Sequence, residues 1–309
     1  MQNKLFDIDN YLAFELGNEV FDCYAYCAKN FGTHLAKKII DKTGPKKLFF
    51  CSEKQDTLSL SLKAWEKIKK KIDLDKIKNL IYVTETSVYQ FPGNGYLFAS
   101  QSNLKENISI FDLNSGCTGF VDALIMADGL IGDTLIVCSE SYSKNIKNFD
   151  RSVSTLFSDC STIFNYDKKI FKVRKSFSVM KKNTYEFLRK KKGESLTMNG
   201  MDVFNFVNIY VDKYMNSFLK ESKETFKIKD LYLHQASKIV IDFFKSREDY
   251  NSFRIPSNVC DVGNTVSSSI PMLLKYDKKN LNKDKNFFYF LCGFGVGLGC
   301  TGLILEINK

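Results

Sequence analysis

Proline is scarce in this chain: 309 residues carry four, and no tract is of low complexity. Long disordered linkers are therefore excluded, because the composition can bury enough apolar surface to fold throughout. Histidine is scarcer still, with His34 and His234 alone, and the nine cysteines include no Cys-x-x-Cys pair. The closest two are Cys23 and Cys27. That spacing excludes the usual zinc patterns, and an odd number of cysteines in a chain this long does not read as a disulfide framework. A reducing compartment is expected, with most thiols packed as small hydrophobes. Residues 1–10, MQNKLFDIDN, lack an apolar signal core, so the expected location is the cytoplasm. One uncharged stretch, residues 287–305, is long enough to imitate a membrane span, but Gly293, Gly295, Gly297, Gly299 and Gly302 interrupt it. Strand, glycine turn, strand is the better reading, and no membrane insertion is expected.

What is present is a basic field. Lys and Arg number 45 against 35 Asp and Glu, a net charge of +10, dispersed along the chain. Such a field favours acidic partners. Nucleic acid is not expected among them, since no zinc, helix-turn-helix or aromatic RNA-binding motif accompanies the charge.

Short apolar runs at residues 79–83, 108–113, 134–138, 230–233, 287–292 and 301–307 read as buried strands. Between them lie helical patterns. Leu58, Leu62, Trp65, Ile68 and Ile72 share a face, which makes Trp65 a core residue, and Phe204, Val207, Val211, Tyr214 and Phe218 share another. Residues 120–131, FVDALIMADGLI, are apolar nearly all round, as a helix between two layers is. Alternating strands and helices predict an α/β protein with its sheets covered on both faces.

The pattern also repeats. NLIYVTETS, ISIFDLNSGCTGF, TLIVCSES and STIFNY find counterparts, in the same order, in DLYLHQAS, FRIPSNVCDVGNTVSSSIP, FFYFLCGFG and GLILEI. Two equivalent halves are expected, residues 1–166 and 167–309, with the Lys-rich residues 167–192 as an inserted surface loop. The repeat brings three reactive side chains to strand ends. Cys117 opens the buried helix through SGCTGF, His234 ends the strand DLYL, and Asn264 in GNTVSSSIP takes the place in the second half that Cys117 has in the first. A helix N-terminus stabilises a thiolate. With His as base and proton donor and Asn as a second donor, the set forms an acyl-transfer site. Gly116 and Gly119 allow close backbone approach around the sulfur.

The order Cys–His–Asn and its motifs resemble β-ketoacyl-acyl-carrier-protein synthase III, of the thiolase superfamily, over most of the chain. SGCTGFVDAL is similar to the nucleophile motif, LYLHQAS to the His-Gln-Ala motif and VGNTVSSSIP to the Gly-Asn-Thr motif; Phe91-Pro92, Asp150-Arg151 and LTMNGMDVF also fall into register. The resemblance implies a five-layer αβαβα fold, a homodimer and a decarboxylative condensation through an acyl-Cys117. His234 and Asn264 then hold the enolate of a malonyl thioester on acyl-carrier protein. The backbone amides of Cys117 and Val296 form the oxyanion hole, and Phe91, Arg151, Gly200, Phe204 and Gly295 contact substrate. No cofactor or metal is implied beyond the phosphopantetheine of acyl-carrier protein or coenzyme A.

The chain departs from the family in places. HLAKKIIDKTG has no Trp to stack on an adenine, which favours acyl-carrier protein as the donor; Ser158-Asp159-Cys160 replaces Gly-Asp-Gly; and Val296, between two glycines, reshapes the acyl pocket. The alternative activity is acyl transfer from a thioester to a hydroxyl or amine on the same fold. Glu85, in YVTETS, lies one residue from a base used by the related hydroxymethylglutaryl-CoA synthases, and strand alternation would turn it away from the thiol. The run Arg189-Lys190-Lys191-Lys192 is a solvated loop or a surface for an acidic carrier.

Overall fold

The computed structural model describes residues 6–146, 150–281 and 288–308. The leader reading at residues 1–5 and Phe287 of one expected strand lie outside them. In the first half the elements are β1 (Leu12–Leu16), β2 (Glu19–Asp22), α1 (Cys23–Phe31), α2 (Thr33–Thr43), β3 (Lys47–Phe50), α3 (Thr57–Glu66), β4 (Ile77–Val83), α4 (Asn94–Gln101), β5 (Ser109–Leu113), α5 (Gly119–Gly129), β6 (Asp133–Glu140) and β7 (Cys160–Tyr166). The second half holds β8 (Phe171–Met180), β9 (Leu188–Arg189), β10 (Thr197–Met198), α6 (Gly200–Asn205), α7 (Asp212–Ser222), β11 (Ile228–Leu233), α8 (Lys238–Ser246), α9 (Val259–Val262), α10 (Ser269–Tyr276), β12 (Phe288–Gly295) and β13 (Gly299–Ile307). A π-helical stretch, Phe206–Val211, joins α6 to α7, so the second expected helix is continuous but underwound and widened at its middle.

Two sheets carry the fold. The first has the order β1-β7-β6-β4-β5 and the second β8-β13-β12-β11. Their pairings match: antiparallel, antiparallel, then parallel. Where β5 pairs in parallel with β4, the second half has a single parallel bridge, Asp230 to Arg254. The sequence repeat is thus a repeat of topology.

Strand alternation builds three apolar layers. Leu80 and Tyr82 of β4 face α3 and α4, with Trp65 and Phe98, while Ile81 and Val83 face inward onto Phe120 and Leu124 of α5. In the second sheet Tyr232, Tyr289 and Leu291 point to that same central layer, and Leu231, Leu233 and Phe290 point to the opposite helices, with Phe206, Phe218 and Phe244. Helices α5 and α10 therefore lie between two sheets, and outer helices complete the five layers. Trp65 is buried, and its indole donates to the Ser102 carbonyl at 2.9 Å, as a core residue with a satisfied N–H should. The glycine-interrupted stretch is β12, a turn and β13. Among the described residues no helix is long and apolar enough to cross a membrane.

One expectation is corrected. Residues 167–192 are not simply a surface loop, because Phe171–Met180 is a ten-residue strand at the edge of the second sheet. Its inward positions are Phe171, Val173, Lys175, Phe177 and Val179, and the cations between them face solvent.

Candidate active site

Cys117 sits in a one-turn 3-10 segment, Gly116–Thr118, that runs directly into α5. Gly116 has φ of 48°, and a Cβ on it would meet Glu85 Oε2 at 2.5 Å. Only glycine makes that turn against that neighbour. Gly295 approaches from the β12 end; a Cβ there would come within 2.7 Å of Cys117 Sγ. Its absence lets the loop bring the Val296 amide to the sulfur. The backbone N–H groups of Val296 and Cys117 lie near enough to the sulfur to favour its charged form.

The sulfur nevertheless rests as a thiol. Burial pushes its pKa well up, the Glu85 carboxylate pushes it further, and the two amides only partly oppose them. Desolvation is the largest of these effects, and it opposes the charge-stabilising setting of a helix N-terminus.

His234 follows β11 and is held by its own N–H donating to the Cys292 carbonyl at 2.9 Å. Its imidazole is buried edge-on to Phe294, and Nδ1 has no hydrogen-bond partner among the described residues. Burial lowers its pKa to about 3, so the ring is neutral at physiological pH. Asn264 is clamped to the first half: its N–H donates to the Leu156 carbonyl at 2.8 Å and its carbonyl accepts from Ser158 at 2.9 Å. Oδ1 accepts from the Val266 N–H at 2.8 Å, and Nδ2 reaches the Ala236 carbonyl only at 3.4 Å. The amide hydrogens of Asn264 thus retain donor capacity.

These side chains share a cavity of about 350 Å³, lined by Cys117, His234 and Asn264 together with Gly200, Phe204 and Gly295. Lys42 and Thr43 of α2 line it too, in the segment without a Trp. Arg151 does not line it; it is exposed beside Ser152, which does. Phe91 is 81% exposed and lines neither this cavity nor its neighbour, although Ser87, Val88, Tyr89 and Gln90 just before it line the neighbour. His34 is an exposed residue of α2. Asp159 proves to be a structural hub: its carboxylate accepts from the N–H groups of Cys51 at 2.7 Å and Ser143 at 2.9 Å. Ser158 Oγ accepts from Phe49 N–H at 3.0 Å, which gives the departure from Gly-Asp-Gly a local use.

Val296 and Gly297 line a second cavity, of about 760 Å³, with Glu85 and Tyr142. Sequence reasoning turned Glu85 away from the thiol and missed Tyr142. The strand ends at Val83, so alternation no longer governs Glu85, and its side chain folds back against Gly116. The Tyr142 hydroxyl donates to the Glu85 carboxylate. Burial raises the pKa of Glu85 above the ordinary glutamate range. The run Arg189–Lys192 is exposed, and Arg189, Lys190 and Lys192 stand at the rim of this second cavity rather than the first.

Two stretches match described family domains: residues 111–164 match 3-oxoacyl-[acyl-carrier-protein (ACP)] synthase III, and residues 220–307 match its C-terminal domain. Two solved structures share the fold. β-Ketoacyl-[acyl carrier protein] synthase III of Thermus thermophilus superposes with a TM-score of 0.83 at 24% identity, covering 96% of this chain and 98% of that one. 3-Oxoacyl-(acyl-carrier protein) synthase of Burkholderia xenovorans gives 0.84 at 22%, covering 96% and 93%. The molecule is thus a condensing-enzyme-type protein of the five-layer thiolase fold. Among curated relatives, β-ketoacyl-[acyl-carrier-protein] synthase III of Streptococcus agalactiae is 30% identical over 222 residues, 65% of this chain and 69% of the relative. The enzyme of the same name from Fusobacterium nucleatum is 28% identical, covering 87% and 92%. The chain belongs to the β-ketoacyl-acyl-carrier-protein synthase III family.

Proposed function

We propose that the chain catalyses a decarboxylative Claisen condensation in which Cys117 carries the acyl group. Cys117 Sγ attacks the carbonyl of an acyl thioester. The tetrahedral oxyanion is held by the amides of Cys117 and Val296, the carrier thiolate departs, and the proton of Cys117 leaves with it. A malonyl thioester then loses CO₂. The electron pair of the broken bond forms an enolate whose oxygen accepts hydrogen bonds from His234 and Asn264. The enolate carbon attacks the acyl carbon, the C–S bond breaks, and Cys117 takes a proton from solvent as the β-ketoacyl thioester leaves. A neutral imidazole and a carboxamide suit this step, because both donate without adding charge to a buried site. The steps need only the chain's own groups and the phosphopantetheine that carries each acyl group.

The observation that carries this reading is one cavity lined by Cys117, His234 and Asn264. The exposed Lys42 at that cavity favours an acidic acyl-carrier protein over coenzyme A as donor. The exposed Tyr89, Phe91 and Tyr96 favour a homodimer that covers them. Nine free cysteines favour the cytoplasm.

Intact-protein mass spectrometry after incubation with a panel of acyl thioesters tests the reading. The wild-type chain gains one acyl group, and Cys117→Ala gains none while its circular dichroism is unchanged. Acylation that survives the substitution, or maps to Cys138 or Cys160, overturns it.

A further inference from the structure

Cys117 lines the smaller cavity, and the larger one begins on the other side of the Gly295–Val296 loop; the two differ in kind. The first is walled by Phe157, Phe204, Val207 and Phe294, as a channel for a pantetheine arm would be. Gly295 lines that one and Val296 lines the other, so the loop that supplies the second amide donor stands between them. In the larger cavity two polar side chains stand beside the turn that carries Cys117. The Glu85 carboxyl packs on Gly116, the residue before Cys117, and Tyr142 is buried and donates to it. Thr86, Asn114 and Asn145 continue the wall. A pocket for a plain alkyl chain has no use for a carboxyl at that depth. Filling it with methylenes would strip the oxygens of water and return no hydrogen bond. An occupant that donates to Glu85 restores the balance.

We propose that the larger cavity receives the acyl group of acyl-Cys117, and that Glu85 and Tyr142 select acyl groups bearing a hydroxyl within a few bonds of the thioester carbonyl. This rests on Cys117 being the acylated residue. The hydroxyl donates to Glu85 and takes over the hydrogen bond that Tyr142 otherwise gives the carboxylate, so both polar groups stay satisfied when water leaves. Sites built to bond a substrate hydroxyl reject the analogue without it far better than apolar pockets reject an added one. Glu85 is then a specificity residue that touches the acyl chain.

The test compares butyryl and 3-hydroxybutyryl thioesters of N-acetylcysteamine, with both enantiomers of the latter, and reads the rate of Cys117 acylation by intact mass. These donors remove any carrier preference. Wild type should favour one hydroxyacyl enantiomer by at least about tenfold. Glu85→Leu should reverse that order toward butyryl, and Tyr142→Phe should fall between. Butyryl reacting as fast as the hydroxyacyl donors in the wild-type chain overturns the proposal without any variant. So does a Glu85→Leu protein that acylates and keeps the hydroxyl preference. Hydroxyacyl-Cys117 that forms selectively but never condenses with malonyl thioester removes the condensation reading and leaves this one standing. No acylation by any donor removes both.

Discussion

The turn that carries Cys117 and the turn after Gly263 are built alike and used differently. Each opens its 3-10 segment, Gly116–Thr118 or Val266–Ser268, on a residue at positive φ, Gly116 at 48° and Val266 at 51°, and runs into a helix of the central layer. By that register the counterpart of Cys117 is Ser267. Asn264 stands three residues earlier, not in the place of Cys117 as the sequence alignment had it. The first turn gives its middle residue to the sulfur. The second turns its middle residue away: Ser267 Oγ donates to the buried Glu140 at 2.9 Å, and the extended residue ahead of the turn enters the cavity instead. One backbone device thus presents a thiol to the cavity in one half and a carboxamide in the other, with the difference set by which residue the fold pulls inward.

The sharpest way to break this comparison is to separate the half-reactions. Asn264→Ala and His234→Ala should each slow malonyl decarboxylation by roughly 10²–10³-fold, the usual loss for one oxyanion donor, while Cys117 acylation changes far less. Decarboxylation at wild-type rates in both variants would mean that the second turn plays no part in the chemistry.

The next effect falls on stability. Glu140 is fully buried, and burial first, then the neighbouring Glu85, raise its pKa above the ordinary value of 4.5. The native state therefore keeps a proton that the unfolded chain releases. The stabilisation is complete below pH 4.5 and is lost as pH rises through the neutral range toward the native pKa. Glu140→Gln should flatten that decline. Urea midpoints at several pH values for the two proteins would show it, and parallel curves would argue against a raised pKa. Smallest should be Ser267→Ala, which removes one hydrogen bond to Glu140. It should cost roughly 1–3 kcal/mol of stability and leave acylation rates within a factor of about two. A large loss of activity would make Ser267 more than the spectator its geometry suggests.

The core strands and the meeting of Cys117, His234 and Asn264 in one cavity were legible because both depend on local signals: apolar runs buried on two faces, and motifs at the ends of those runs. Strand β8 was not, since an edge strand alternates apolar positions with charges, and FKVRKSFSVM carries enough lysine and arginine to read as a loop. Glu85 was misread for a related reason. Period-two alternation holds only inside a strand, and the chain leaves β4 two residues earlier. Tyr142 had no local signal at all, because what matters is its approach to Glu85 from across the sheet. The state of Cys117 was likewise out of reach: a motif reveals the helix N-terminus but not the depth of burial that overrides it.

The charged edge of the second sheet has a consequence for behaviour in concentrated solution. Strand β8 ends its sheet, with one row of backbone groups facing away from β13. Lys172 and Arg174 stand exposed or nearly so along that row, and Lys175 is held over Phe218. A second molecule offering its own β8 would meet the same cations head-on. The lysine and arginine content that disguises the strand in the sequence thus also guards it against edge-to-edge aggregation, and the protection should fade at high ionic strength, where the like charges no longer repel.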